Sequence, residues 1–182
     1  MSRTIRLRAL RREDAATTWK WRNEPDVRKL YAGHPFFINM EKENAWFDKI
    51  LTSDHPNVSM GVEIKETGEL IAMMFLLHVN HINRSAELAF LFAPDTRKAS
   101  DIIVAILLTL EFGYYNLNLN RIYGKLIEEH QMLIKLYERY GGQKEGLMRQ
   151  SIYKEGKYLN EVMMSILRED YEKHKRREVR QT

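Results

Sequence analysis

Ile5, Leu7 and Ala9 alternate with Arg6 and Arg8, and this period of two predicts a strand over residues 4–9. A helix is predicted over residues 12–22, with Glu13 and Asp14 in its first turn. Pro25 opens a short second helix to about Leu30. Gly33 to Asn39 reads as a loop carrying His34, Phe36 and Phe37, and residues 41–53 as an amphipathic helix with Ala45, Trp46 and Ile50 inward and Leu51 at the margin. The period then changes. Residues 58–65 and 70–79 read as a hairpin turned at Gly68, and residues 84–92 as a third strand stopped by Pro94. A long helix over residues 100–116 presents Ile102, Ile103, Ile106, Leu107 and Leu110 as its core face. Residues 121–127 are a strand and 131–140 a helix closed by Gly141-Gly142. Residues 144–152 and 158–167 form a last hairpin around Lys154 to Lys157. The order is β-α-α-α-β-β-β-α-β-α-β-β. It predicts an α/β chain with a mixed sheet, an antiparallel meander followed by a β-α-β-α half, and excludes a doubly wound sheet or a barrel. Residues 1–167 read as a single domain and residues 168–182 as a charged tail, a frayed helix end.

Composition adds mostly exclusions. The chain has 182 residues and no cysteine. That rules out a disulfide scaffold, a thiolate nucleophile and a cysteine-ligated metal, and suits a cytoplasmic protein. The net charge of +4 is shared between tail and body with no basic cluster, so nucleic acid is not an expected partner. The apolar runs 70–77 and 102–108 are too short to span a membrane, for which about 20 residues are needed. Five arginines lie among the first twelve residues, but no apolar segment follows them to make a secretory signal. His78 and His81 lie three apart with no third ligand nearby in sequence, so no metal site is expected. Trp19, Trp21, Phe36, Phe37 and Trp46 read as core and cleft lining rather than as a base-stacking platform.

Several segments, in this order, carry a resemblance. They are Ile5 to Leu10 with Glu13-Asp14, Trp21-Arg22-Asn23-Glu24-Pro25, Val79 to Glu87, Phe112 to Leu119, Ile134 to Gly141, and Glu145-Gly146. Over roughly residues 3–167 the chain resembles the GCN5-related N-acetyltransferase (GNAT) superfamily, in the branch of ribosomal-protein alanine and spermidine acetyltransferases. The resemblance implies a sheet split between the fourth and fifth strands, where acetyl-CoA enters as co-substrate. It also implies a pyrophosphate loop after the fourth strand, where free backbone N–H groups at a helix N-terminus meet phosphate. The matching stretch is Arg97-Lys98-Ala99-Ser100-Asp101-Ile102. Arg97 fits the pattern, but Ser100 and Ile102 fill positions where the family has glycine or another small residue. Ser100 can cap the long helix, and Asp101 adds a negative charge beside the expected phosphates.

Amide formation from acetyl-CoA needs a neutral amine, a stabilised oxyanion and a protonated leaving thiolate. By resemblance, Tyr137 protonates the sulfur, Glu87 assists amine deprotonation, and the backbone N–H groups of Leu91 and Phe92 face the oxyanion. His130 stands where the family usually has an asparagine that contacts the pantetheine arm, and Leu133 where it has a serine. From the residues alone, Tyr137 belongs to an apolar stripe with Leu133 and Tyr140, Glu87 is a strand carboxylate paired with Arg84 or Arg121, and His130 is a solvated helix start. The implied activity is direct transfer to a primary amine: a protein N-terminus, an amino-sugar or a polyamine. The loop from Gly33 to Phe37 lacks a carboxylate, which argues against a polyamine and for a partly apolar or sugar acceptor. The chain is compatible with a homodimer. The rival reading is a degenerate, non-catalytic acetyltransferase fold that binds a ligand or a protein.

Overall fold

The computed structural model describes residues 4–30, 36–52, 57–94 and 99–179. The seven strands are β1 (Ile5–Ala9), β2 (Val58–Ile64), β3 (Leu70–Asn80), β4 (Ser85–Phe92), β5 (Arg121–Ile127), β6 (Gln143–Lys154) and β7 (Lys157–Leu167). They form one sheet in the order β1-β2-β3-β4-β5-β7-β6. The helices are α1 (Asp14–Asn23), α2 (Pro25–Leu30), α3 (Met40–Thr52), α4 (Ala99–Glu111), α5 (Gln131–Arg139) and α6 (Arg168–Val179), with a π-helical turn, Phe112–Asn116, continuing α4. The mixed α/β sheet expected from the periodicity is present, and β4 and β5 are its parallel pair. The chain divides into two compact units, one of Met1–Leu76 with Ala89–Thr109 and one of Leu77–Leu88 with Leu110–Thr182.

In the first unit, β1 and β2 pair antiparallel from Ile5↔Ile64 to Ala9↔Met60, and β2 and β3 from Val58↔Leu76 to Glu63↔Leu70. Leu70–Leu76 is buried at every position, because the unit covers both faces of β3. The arginines that alternate along β1 are not all solvated. Arg8 donates to both Asp14 oxygens, at 2.8 Å each, and to Glu63 at 2.6 Å, joining β1, α1 and β2. Those bonds, Asp14's first, raise the Arg8 pKa, while the Arg6 and Arg8 guanidinium groups hold the Glu63 carboxyl below its usual range.

The inward face of α3 differs from the expected one. Glu43 and Phe47 are buried, Trp46 is half-buried and Ala45 is exposed. The Glu43 carboxylate accepts from the Thr18 hydroxyl at 2.6 Å and lies 3.3 Å from the Arg22 guanidinium, which stacks on Trp46. A pattern search that assigns carboxylates to the surface misplaces such a helix, since a paired Glu can be buried.

In the second unit, β5 pairs antiparallel with β7 from Arg121↔Leu167 to Ile127↔Glu161, and β7 with the edge strand β6. The residues read as a charged tail and helix end include α6. Its Tyr171 is 1% exposed, stacks on Tyr114 at 5.4 Å and donates to Glu111 at 3.1 Å. Tyr114 in turn donates to the Ile166 carbonyl at 2.9 Å. One buried aromatic anchors a helix whose remaining residues are almost all charged or polar, and averaging over that helix hides it.

Candidate active site

In the second unit, β4 and β5 pair in parallel over three residues, Ser85↔Arg121, Ala86↔Ile122 and Glu87↔Tyr123. Leu88 and Gly124 come next on the two strands. Against Gly124 lies the tip of Tyr137, a residue of α5. A Cβ placed on Gly124 would stand 2.6 Å from the Tyr137 hydroxyl, 3.4 Å from its Cζ and 3.5 Å from the Leu88 carbonyl. Gly124 does not need a left-handed backbone; the positive-φ glycines among the described residues are Gly68, Gly141 and Gly156. It is a point of close approach, which is what an isolated glycine in a strand usually marks.

Tyr137 lies in the core, as its spacing predicts. Its ring belongs to the apolar stripe, with Tyr137 1% and Tyr140 6% exposed. Its hydroxyl, however, is buried with no hydrogen-bond partner among the described residues. Burial, and then the charge of Glu87, push its pKa up, so the group stays protonated. The α5 helix is held at its end by Gly142 N–H donating to the Tyr137 carbonyl at 2.7 Å and Gly141 N–H to Glu138 at 3.1 Å.

Glu87 pairs with neither of the arginines proposed from sequence. Arg84 donates to the Asn118 carbonyl at 2.7 Å, and Arg121 to Glu145 at 2.6 Å. Glu87 is 18% exposed at its side chain and stands between Lys125, 3.8 Å from Oε1, and His78, 4.0 Å from Oε2. Tyr137 and Glu87 thus share one unit with three groups that sequence reasoning did not place there: Gly124, Lys125 and His78. The strand-interior glycine was the readable signal for the first. Lys125 and His78 carried none, because their partner depends on strand pairing.

His130 caps α5, with φ −79° and ψ 60° and no side-chain cap bond. Its imidazole is half-buried, and burial, the largest cause, lowers its pKa below the usual value. It is therefore neutral at pH 7 and can donate one hydrogen bond. An unfolded chain takes up this proton near pH 6.5 whereas the folded chain resists, so stability should fall as acidity passes below about pH 6.5. Melting temperatures measured across that range should decline less steeply in His130→Gln; equal slopes would remove His130 from the account.

The other expected site residues lie in the first unit. Leu91 and Phe92 are buried at the end of β4, and the Ala93 N–H donates to Ile71 at 2.9 Å. Ala99 is already helical in α4, so Ser100 lies within the helix rather than at its cap. Ser100 is exposed, Asp101 is buried and Ile102 is half-buried. Arg97 and Lys98 lie outside the described residues, as do Gly33, His34 and Pro35 of the aromatic loop. A cleft of about 570 Å³ in this unit, lined by Arg8, Asp14, Trp21, Leu70 and Ala93 among others, contains none of the candidate residues.

A buried, unpartnered hydroxyl beside a side-chain-free strand position fits a substrate atom that accepts its hydrogen bond. Among the described residues no cluster of His, Asp and Glu suits a metal, and no helix is long and apolar enough to cross a membrane.

Comparison with known proteins gives a consistent picture. A family model described as the acetyltransferase (GNAT) domain matches residues 4–143. The spermidine N(1)-acetyltransferase of Escherichia coli (strain K12) is 25% identical over 168 residues, covering 92% of this chain and 88% of that protein. The spermidine N(1)-acetyltransferase of Vibrio cholerae is 26% identical over 172 residues, covering 94% and 97%. The crystal structure of the spermidine N-acetyltransferase from Vibrio cholerae in complex with CoA and spermine superposes with a TM-score of 0.84 at 26% identity, covering 92% of this chain and 97% of that one.

Proposed function

The chain belongs to the acetyltransferase (GNAT) domain family, and we propose that it transfers the acetyl group of acetyl-CoA directly to a primary amine. The observation that carries this reading is the Tyr137 hydroxyl, buried and unpartnered against Gly124. A buried donor left without an acceptor costs free energy, and a leaving sulfur is an acceptor that needs its proton.

The roles follow from what each group can do. Glu87, through water, takes a proton from the acceptor ammonium. The free amine attacks the thioester carbon while the backbone N–H groups of Leu91 and Phe92 steady the oxyanion. The C–S bond then breaks, Tyr137 gives its proton to the sulfur, and the second proton of the attacking nitrogen returns to Tyr137. A thiolate forming in the same low-dielectric site also has a raised pKa, which keeps the transfer from a buried tyrosine within reach. Residues 97–102 and His130 are assigned to the phosphates and the pantetheine arm. With no cysteine in the chain, no acetyl-cysteine intermediate is available.

The names of the relatives favour a polyamine as acceptor. Against one stands the Gly33–Phe37 loop, which has no carboxylate and whose residues 33–35 lie outside the described residues. On the relatives' names a polyamine stands first, ahead of a protein N-terminus or an amino-sugar. The filled positions Ser100 and Ile102 favour the non-catalytic reading, and one experiment separates the two. Acetyl-CoA at a hundredfold its dissociation constant should stabilise the protein by about 2.7 kcal/mol, and a panel of the three amine classes should show one acetylated. Stabilisation without turnover on any amine would favour the non-catalytic fold. Neither effect would remove the acetyl-CoA site.

A further inference from the structure

Transfer of acetyl from a thioester to an ammonium forms one N–C bond and breaks one C–S bond. The nitrogen loses two protons; one ends on the sulfur, and the other has to leave the site. In the second unit three ionisable groups run from covered to solvated. Tyr137 is buried, Glu87 has a side chain 18% exposed, and His78 one 73% exposed. Resting on the acetyltransfer reading above, we propose that His78 carries to bulk water the proton that Glu87 takes from the acceptor amine.

The pairing supports it. His78 Nε2 is 4.0 Å from Glu87 Oε2, beyond direct hydrogen bonding and a gap that one water can bridge. Lys125 lies at a similar distance, 3.8 Å, from the other oxygen, yet a charged ammonium has no lone pair with which to accept a proton. Imidazole accepts and releases protons near neutral pH. His78 has φ 53° within β3, a left-handed conformation that His, like Asn, adopts more readily than most non-glycine residues. The ionisable groups recorded around the Glu87 carboxylate are His78 from β3, Lys125 from β5 and Tyr137 from α5. His78 acts through Glu87 and is a positioning residue rather than one that touches the amine.

Two variants test it without risking the fold. His78→Gly relieves the positive φ, and His78→Asn tolerates it. In weakly buffered solution near pH 7, each should lower kcat roughly tenfold, less than the 10²–10⁴ of a direct general base because water remains a slower acceptor. Acetyl-CoA affinity should be unchanged and the melting temperature no lower than the parent's. Added imidazole should restore most of the lost rate in His78→Gly and leave the parent unaffected. A parent that acetylates amines, with variants that keep its rate, overturns the proposal; so does a loss that imidazole does not repair. A parent that acetylates nothing would overturn the acetyltransfer reading itself, and this proposal with it.

Discussion

Replacing Tyr137 with phenylalanine should lower turnover by roughly a hundredfold or more while leaving the protein at least as stable as before. The two effects come from the same atom. The Tyr137 hydroxyl is buried and has no partner among the described residues, so folding strips it of water and returns no hydrogen bond. Such a group costs about 1–3 kcal/mol. Phenylalanine keeps the buried ring and deletes the penalty. Against this, the small void left by the oxygen loses a few tenths of a kcal/mol of dispersion. The balance predicts a melting temperature unchanged or raised by a few degrees in a chain of this size. Acetyl-CoA affinity should change little, and the pH profile should show no tyrosine limb on its alkaline side in the parent, since burial and Glu87 hold the hydroxyl protonated. A stabilised but slow variant would identify a residue whose hydroxyl is kept for chemistry. A destabilised variant with full turnover would mean that the oxygen has a structural partner and that the leaving group finds its proton elsewhere.

Much of this fold was legible because its strands and helices have clean periods. β1 alternates apolar and charged residues, Pro94 stops β4, and Gly141-Gly142 ends α5, so the order of elements could be read directly. What escaped was whatever depends on pairing across the chain. Glu43 looks like a solvent residue until Thr18 and Arg22 meet it from α1. Tyr171 looks like one aromatic in a charged tail until Tyr114 and Glu111 cover it. The same division runs through the site. Tyr137 and Glu87 could be named from the resemblance, and Tyr137 as core from its spacing. That the hydroxyl is orphaned, and that Glu87 faces Lys125 and His78 rather than an arginine, follows only once β4 lies beside β5 and β3. His78 and His81 were weighed together as a metal pair because spacing was the only evidence. The Glu87 carboxylate 4.0 Å from His78 is what the structure adds at that residue.

Gly124 supplies the sharpest test of whether Tyr137 is held for its hydroxyl. In Gly124→Ala the new methyl would lie 2.6 Å from the tyrosine oxygen, a distance no real contact tolerates, so the ring or β5 has to move. Overpacking of this kind costs typically 1–3 kcal/mol, partly offset by the roughly 0.5–1 kcal/mol gained when an alanine replaces a strand glycine. A net loss of about 1–2 kcal/mol is expected, together with a turnover near that of Tyr137→Phe, because the hydroxyl is displaced from its position against Leu88 and Gly124. The double variant should behave differently. Without the oxygen, the remaining neighbours of the methyl are the ring carbon at 3.4 Å and the Leu88 carbonyl at 3.5 Å, both ordinary contacts. Alanine at 124 should then be neutral or mildly stabilising, and turnover no lower than in Tyr137→Phe alone. The two substitutions should therefore be coupled by about 1–3 kcal/mol in stability, in the range measured for touching residues. Denaturation of the four proteins gives that number. Additive free energies would mean that Tyr137 does not press on Gly124 in solution, and the placement of its hydroxyl at the opening of β4 from β5 would have to be abandoned.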